Sequence, residues 1–142
     1  MSYKSAFEKR YEFGKSSEEE VLPIIKEFFK DNTIEPTINK KDRYDYKSKT
    51  KNYELKTRTN KYNDYPSTMI GLDKCEINSI LLFKYTDGIY YIEYNEEQFK
   101  KYQIKKFTKY VQKKDYIYIP ISDLKIIKQT IICNNNICDF LD

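Results

Sequence analysis

Two apolar runs joined by an Asp-Gly pair, Ser79–Thr86 (SILLFKYT) and Ile89–Tyr94 (IYYIEY), constrain this chain more than any other feature. Runs this rich in β-branched and aromatic residues suit pleated strands, and Asp87–Gly88 between them predicts a hairpin closed by a type I′ turn. A second hairpin is expected upstream, where RYDYKS and NYELKTRT alternate with period two about a polar turn at Lys49–Asn52. Before it, Ser17 with Glu20 three residues later has the form of a capping box. Val21, Leu22, Ile25, Phe28 and Phe29 then form an apolar face, so a helix is expected at about 17–30, irregular at Pro23, which cannot donate to the Glu19 carbonyl. Shorter expectations are an extended segment over Glu35–Asn39, a helix over Glu96–Tyr102 and a strand over Tyr116–Ile121, while the apolar last twenty residues are ambiguous between strand and helix. A helix followed by strands, a short connection and more strands implies α/β (α+β) with one mixed sheet. At 142 residues the chain reads as one domain, residues 1–142.

Composition narrows the chemistry. The chain has no His, which removes the commonest general base and the usual nucleophile–His pairings and leaves carboxylate, lysine or metal chemistry. Cys75, Cys133 and Cys138 are odd in number, so free thiols are expected, and without His they do not complete a zinc site. The net charge of +4 is compatible with a nucleic-acid partner without requiring one. No apolar run is long enough to span a bilayer and MSYKSAFEKRYEFGKS has no signal-peptide core, so a soluble, intracellular protein with no membrane partner is expected.

The first hairpin concentrates the charged residues. Tyr44, Tyr46, Tyr53, Leu55 and Thr57 share one parity, and Asp45, Glu54, Lys56 and Arg58 the other. An even loop, either Lys49–Thr50 or Lys49–Asn52, places Asp45 on the face of Glu54 and Lys56. The shorter loop sets Asp45 opposite Glu54, the longer one opposite Lys56, and both keep the carboxylate-bearing Cβ atoms roughly 5–8 Å apart. Two carboxylates so spaced can clasp one Mg²⁺. The plainer alternative is the solvated face of an amphipathic hairpin.

The segment DRYDYKSKTKNYELKTRT, preceded by Gly14-Lys-Ser-Ser-Glu18 at a helix opening, resembles the PD-(D/E)XK nuclease superfamily over about residues 14–75. Members place a helix bearing a Glu before a hairpin whose first strand carries Asp and whose next carries (D/E)-x-K. The resemblance implies a restriction-endonuclease-like core, a mixed central sheet flanked by helices. It also implies metal-dependent endonuclease activity on DNA, with Mg²⁺ or Mn²⁺ held by Asp45, Glu54 and the Leu55 carbonyl. Lys56 would orient and help deprotonate the attacking water, and Glu18 would support the metal's water shell. Tyr44 stands where the family has Pro, leaving Asp42 and Asp45 both open as the ligand; Asp45 is preferred because it shares the face of Glu54. Basic residues flank the segment, among them Lys15, Lys40, Lys41, Arg43, Arg58, Lys61 and Lys74, with Tyr62 and Tyr65 between them. Phosphate contact is expected first of Arg58, with Lys15 and Lys74 beside it. The alternative in a different class is a catalytically silent nucleic-acid-binding module or subunit that keeps the nuclease fold. A homodimer is compatible with either, and the type of nucleic acid cut is not readable from the residues.

Overall fold

A computed structural model describes the backbone of residues 6–39, 41–109, 112–133 and 136–141, and the side chains of 14–39, 41–106 and 114–130. Helix α1 runs over Ala6–Phe29, further back than expected, with Gly14 and Pro23 inside it. Ser17 is therefore a mid-helix residue, 2% exposed, rather than an N-cap. The reason is local: Ala6–Arg10 and Glu12 are good helix formers or tolerated ones, so the helix propagates through the cap-like tetrad. It stops in a Schellman motif, in which Lys30 takes φ 53° and the N–H groups of Asp31 and Lys30 donate to the carbonyls of Lys26 and Glu27.

The strands follow as β1 (Glu35–Pro36), β2 (Tyr46–Lys47), β3 (Asn52–Thr57), β4 (Ser67–Gly71), β5 (Ser79–Tyr85), β6 (Gly88–Glu93), β7 (Gln103–Lys109), β8 (Gln112–Pro120), β9 (Lys125–Cys133) and β10 (Asn136–Leu141). A short helix α2 (Glu96–Phe99) sits between β6 and β7, capped by Asn95, whose Oδ1 accepts from the Gln98 N–H at 3.0 Å. Seven strands make one sheet in the order β1-β2-β3-β5-β6-β9-β10, and β4-β8-β7 make a second. The β3–β5 pair is parallel and the other pairs of the large sheet are antiparallel, so the mixed sheet expected from the sequence is present. The ambiguous C-terminal segment is strand, because β6 offers it an open edge to pair with.

The large sheet is covered on both faces. Val21 and Ile25 of α1 pack with Tyr46, Tyr53, Leu55, Ile80 and Leu82 on one side. Ile70 of β4 and Ile117 and Ile119 of β8 pack with Leu81, Phe83, Tyr85 and Tyr90 on the other. β5 contributes alternately to the two cores, which is why SILLF reads as a continuous apolar run. Helix, large sheet and small sheet thus form three layers.

The β5–β6 turn departs from expectation. Tyr85 pairs with Gly88, so Thr86 and Asp87 are the loop, and among the described residues only Lys30 and Asn78 have positive φ. A type I′ turn needs positive φ at both central positions, so this is not one. Gly88 serves close approach instead: a Cβ there would lie 2.8 Å from the Lys128 carbonyl oxygen. Among the described residues no helix is long and apolar enough to cross a membrane.

Candidate active site

The first hairpin takes the shorter loop. Ser48 N–H donates to the Lys51 carbonyl at 2.8 Å, Lys47 pairs with Asn52 and Tyr46 with Tyr53. One step further in that register sets Asp45 opposite Glu54. There the ladder ends: Asp45 N–H still reaches the Tyr53 carbonyl at 3.0 Å, but Leu55 N–H donates to Asp45 Oδ2 at 2.8 Å. The Tyr44 carbonyl has turned to Thr37, whose hydroxyl donates to it at 2.7 Å. Backbone alternation along β3 points the N–H and C=O of Leu55 to the β2 side, so its carbonyl opens where the ladder has given out.

Glu54 is 5% exposed, which rules out the solvated-face reading at this position. Lys56 Nζ lies 3.7 Å from its Oε1 and Lys74 Nζ 3.2 Å from its Oε2. The Lys74 contact is an ion pair outside hydrogen-bond geometry, so Oε2 is buried with no hydrogen bond. Burial first, and then the charge of Asp45, pushes the Glu54 carboxyl up to about 7 against the pull of the two lysines.

The third carboxyl arrives from α1. Glu18 is also pushed up to about 7, by burial, by the charge of Asp45 and a hydrogen bond with it, and by the charge of Glu54, with Lys15 opposing. Tyr46 fixes this approach, its hydroxyl donating to the Glu18 carbonyl. The neighbouring acids go elsewhere: Glu20 pairs with Lys84 of β5 at 2.7 Å and Glu19 is exposed. Glu18, Asp45 and Glu54 are thus brought together from three separate segments, with Lys56 beside them.

As placed, no three or more His, Cys, Asp or Glu among the described residues form a ready metal cage. A Mg²⁺ site does not need one, since the ion keeps several waters and is commonly held by one or two carboxylates. Asp45, Glu54 and the Leu55 carbonyl offer the hard oxygen donors, with Glu54 Oε2 already ion-paired to Lys74. The residues fit such an ion.

Other expected residues are distributed unevenly. Lys74, expected at the periphery, belongs to the centre: it ends a 3₁₀ turn at Leu72–Lys74, its Nζ donates to the Arg43 carbonyl, and it lies 5.3 Å from the Tyr44 ring centroid. The turn is stapled down by Arg43, which reaches the Asp73 carbonyl and pairs with Glu76 at 2.6 Å. Tyr44 adds a bond from its hydroxyl to the Lys74 carbonyl at 3.2 Å. Nothing in the sequence pattern signals this, because residues 43 and 74 meet only through the fold. Arg58 corrects the expectation of an open phosphate grip. Its Nη2 donates to Thr68 Oγ1 at 3.1 Å and to the Met69 carbonyl, and its guanidinium lies 5.7 Å from the Phe83 centroid. Burial lowers its pKa. The small sheet covers this face of β3, and Arg58 is clasped into the seam. Lys15 and Lys41 are exposed, Lys15 near Glu18; Asp42 sits in an exposed turn, so Asp45 is the residue facing Glu54. Lys40, and the side chains of Cys133 and Cys138, lie outside the described residues, while Cys75 is a free thiol.

Comparison with protein-family models, curated proteins and solved structures gives no match, so the reading of the site rests on its own geometry.

Proposed function

We propose that this chain is a Mg²⁺-dependent nuclease of the PD-(D/E)XK kind, hydrolysing DNA phosphodiester bonds on a restriction-endonuclease-like core. One observation carries the reading: a buried Glu54 faces Asp45 and Glu18 from separate elements, with Lys56 alongside. Three acids crowded together oppose folding unless a cation joins them, and such arrangements concentrate at functional sites. Asp45, Glu54 and the Leu55 carbonyl would hold the ion. When bound, Mg²⁺ lowers the pKa of a coordinated water and offsets charge on the phosphate, which suits a chain with no His.

The chain's own residues have distinct tasks. Lys56, half exposed beside Glu54, orients the attacking water and takes part in its deprotonation. Glu18 accepts a hydrogen bond from water on the far side of Asp45. Lys74 balances the Glu54 charge from the buried side and keeps that carboxylate aimed. The test is incubation with supercoiled plasmid, a branched junction and RNA, each with Mg²⁺, Mn²⁺ or EDTA. Cation-dependent cutting that Asp45→Asn and Glu54→Gln both lose is the expected result, with weaker calorimetric Mg²⁺ binding by the same variants. Undiminished cutting by either variant, or in EDTA, overturns the reading.

A further inference from the structure

A cleft of about 180 Å³ opens beside the candidate site, lined among others by Arg58, Asn60, Tyr62, Tyr65, Thr68 and Tyr85. Arg58 follows Lys56 by two residues, just past the end of β3, so the cleft lies about 7 Å further along the chain. Its volume is below the range that holds a drug-sized ligand, and suits one planar ring system.

The walls are aromatic and fixed. Tyr62 stacks on Tyr90 with centroids 4.0 Å apart and planes 5° from parallel. Tyr85 stands nearly perpendicular to both, at 5.8 Å from each, so it meets their edges, and Tyr62 itself is half-buried. Tyr65 is 61% exposed, a large aromatic ring presented to solvent. The loop that carries these residues is tied at several points. Tyr62 N–H donates to Asp87 Oδ1 at 2.9 Å, Tyr62 hydroxyl to the Ile121 carbonyl at 2.6 Å, and Thr86 N–H to the Asn60 carbonyl at 3.1 Å. Such a cleft is preorganised, and binding costs little ordering.

The floor holds an unmet polar group. Tyr85 is 5% exposed and its hydroxyl has no hydrogen-bond partner. The nearby Thr68 oxygen accepts from Arg58 at 3.1 Å. Buried orphans of this kind are few in folded proteins, and an inserted ligand atom completes them.

Aromatic rings, a guanidinium and one unmet hydroxyl around one ring-sized slot are the chemistry that receives a nucleobase. A paired base is stacked on both sides and cannot enter without leaving its helix. We infer that this cleft is a nucleobase subsite, taking one unpaired base of the strand being cut, and that the substrate class is single-stranded or locally unpaired nucleic acid. The inference rests on the nuclease reading for the nature of the strand, but its test does not depend on turnover.

Binding would be titrated with Ca²⁺ in place of Mg²⁺, using a single strand, a perfect duplex and the same duplex with one unpaired 2-aminopurine. The two unpaired probes should bind at least about tenfold tighter than the duplex, with the 2-aminopurine fluorescence quenched by stacking. Tyr65→Ala and Tyr85→Phe should each reduce that preference several-fold with no fall in melting temperature. Tyr85→Phe is the sharper variant: if the hydroxyl is only a buried orphan, its removal leaves binding untouched. Equal affinities for all probes, or a preference that survives both substitutions, overturns the subsite. Failure of the two readings is separable. No cleavage of any substrate, with a Tyr65-dependent preference intact, supports the subsite and removes the nuclease; cation-dependent cleavage with no preference does the reverse.

Discussion

Glu54 keeps one carboxylate oxygen buried, with the Lys74 ammonium 3.2 Å away as its charge partner. Changing it to Gln removes ligand charge while keeping shape. Asp45→Asn does the same, and its side-chain oxygen can still accept from Leu55 N–H. Both variants should retain the native circular-dichroism spectrum while losing more than the roughly 100-fold in activity that altering an outer partner of a metal costs. Titration gives a second test. Glu54 and Glu18 are both raised to about 7 from an ordinary 4.5, so the folded state holds protons that the unfolded chain has released. Their stabilising contribution is complete below the unfolded value and lost as pH rises through the folded one. In EDTA the melting temperature should therefore fall between about pH 5 and pH 8, and Glu54→Gln should flatten that fall. A profile of equal slope for both proteins would show that the carboxyls are not coupled as placed. At this scale the Asp45, Glu54 and Lys56 face was legible, because strand parity is fixed by a period of two. Lys74 was not, since its place depends on a turn stapled to residue 43.

Lys56 lies on β3 and Arg58 just past its end, yet the small sheet treats them differently. Lys56 is half exposed at the carboxylates, so Lys56→Ala should lower the single-turnover rate by at least about 100-fold with little change in stability. Arg58 is clasped to β4, so Arg58→Ala should cost about 1–3 kcal/mol and lower the melting temperature by several degrees. Thermal denaturation beside rapid-quench cleavage separates the two, and an Arg58→Ala protein as stable as the parent would deny the clasp. Gly88→Ala should also destabilise, by about 1–3 kcal/mol, because its Cβ has no room against the Lys128 carbonyl. The first hairpin was legible from alternation and the second from its apolar runs, their turns less so. The Asp-Gly pair signals a turn, but here the glycine answers a neighbouring strand that sequence proximity does not reveal. The helix start was hidden for a related reason, as Ser17 and Glu20 have the form of a cap inside a segment already able to be helical.

Across the whole molecule, the acids are assembled by α1 on one side of the large sheet and by β4 and its following turn on the other. A cation that binds only the folded form should stabilise it, by about 2.7 kcal/mol at a concentration 100 times its Kd. Millimolar Mg²⁺ should accordingly raise the melting temperature of the parent and not of Asp45→Asn; equal shifts would place the ion elsewhere. One mixed sheet was legible from the order of elements. The second was not, because Ser67–Gly71 alone has too little pattern to announce a strand and gains its identity from β8. That pairing, Ser67 with Pro120 and Gly71 with Tyr116, also bears on how the protein is made. The hairpin that bears Asp45 and Glu54 can close early from local contacts, but the sheet that clasps Arg58 must wait for a stretch of chain synthesised much later. Pulse-labelled hydrogen exchange during refolding should find amides of β2 and β3 protected before those of β4, and the reverse order would contradict this sequence of events. A nascent chain would thus hold its acid-bearing hairpin before the second sheet exists, and the finished layer order would arrive only with its last third.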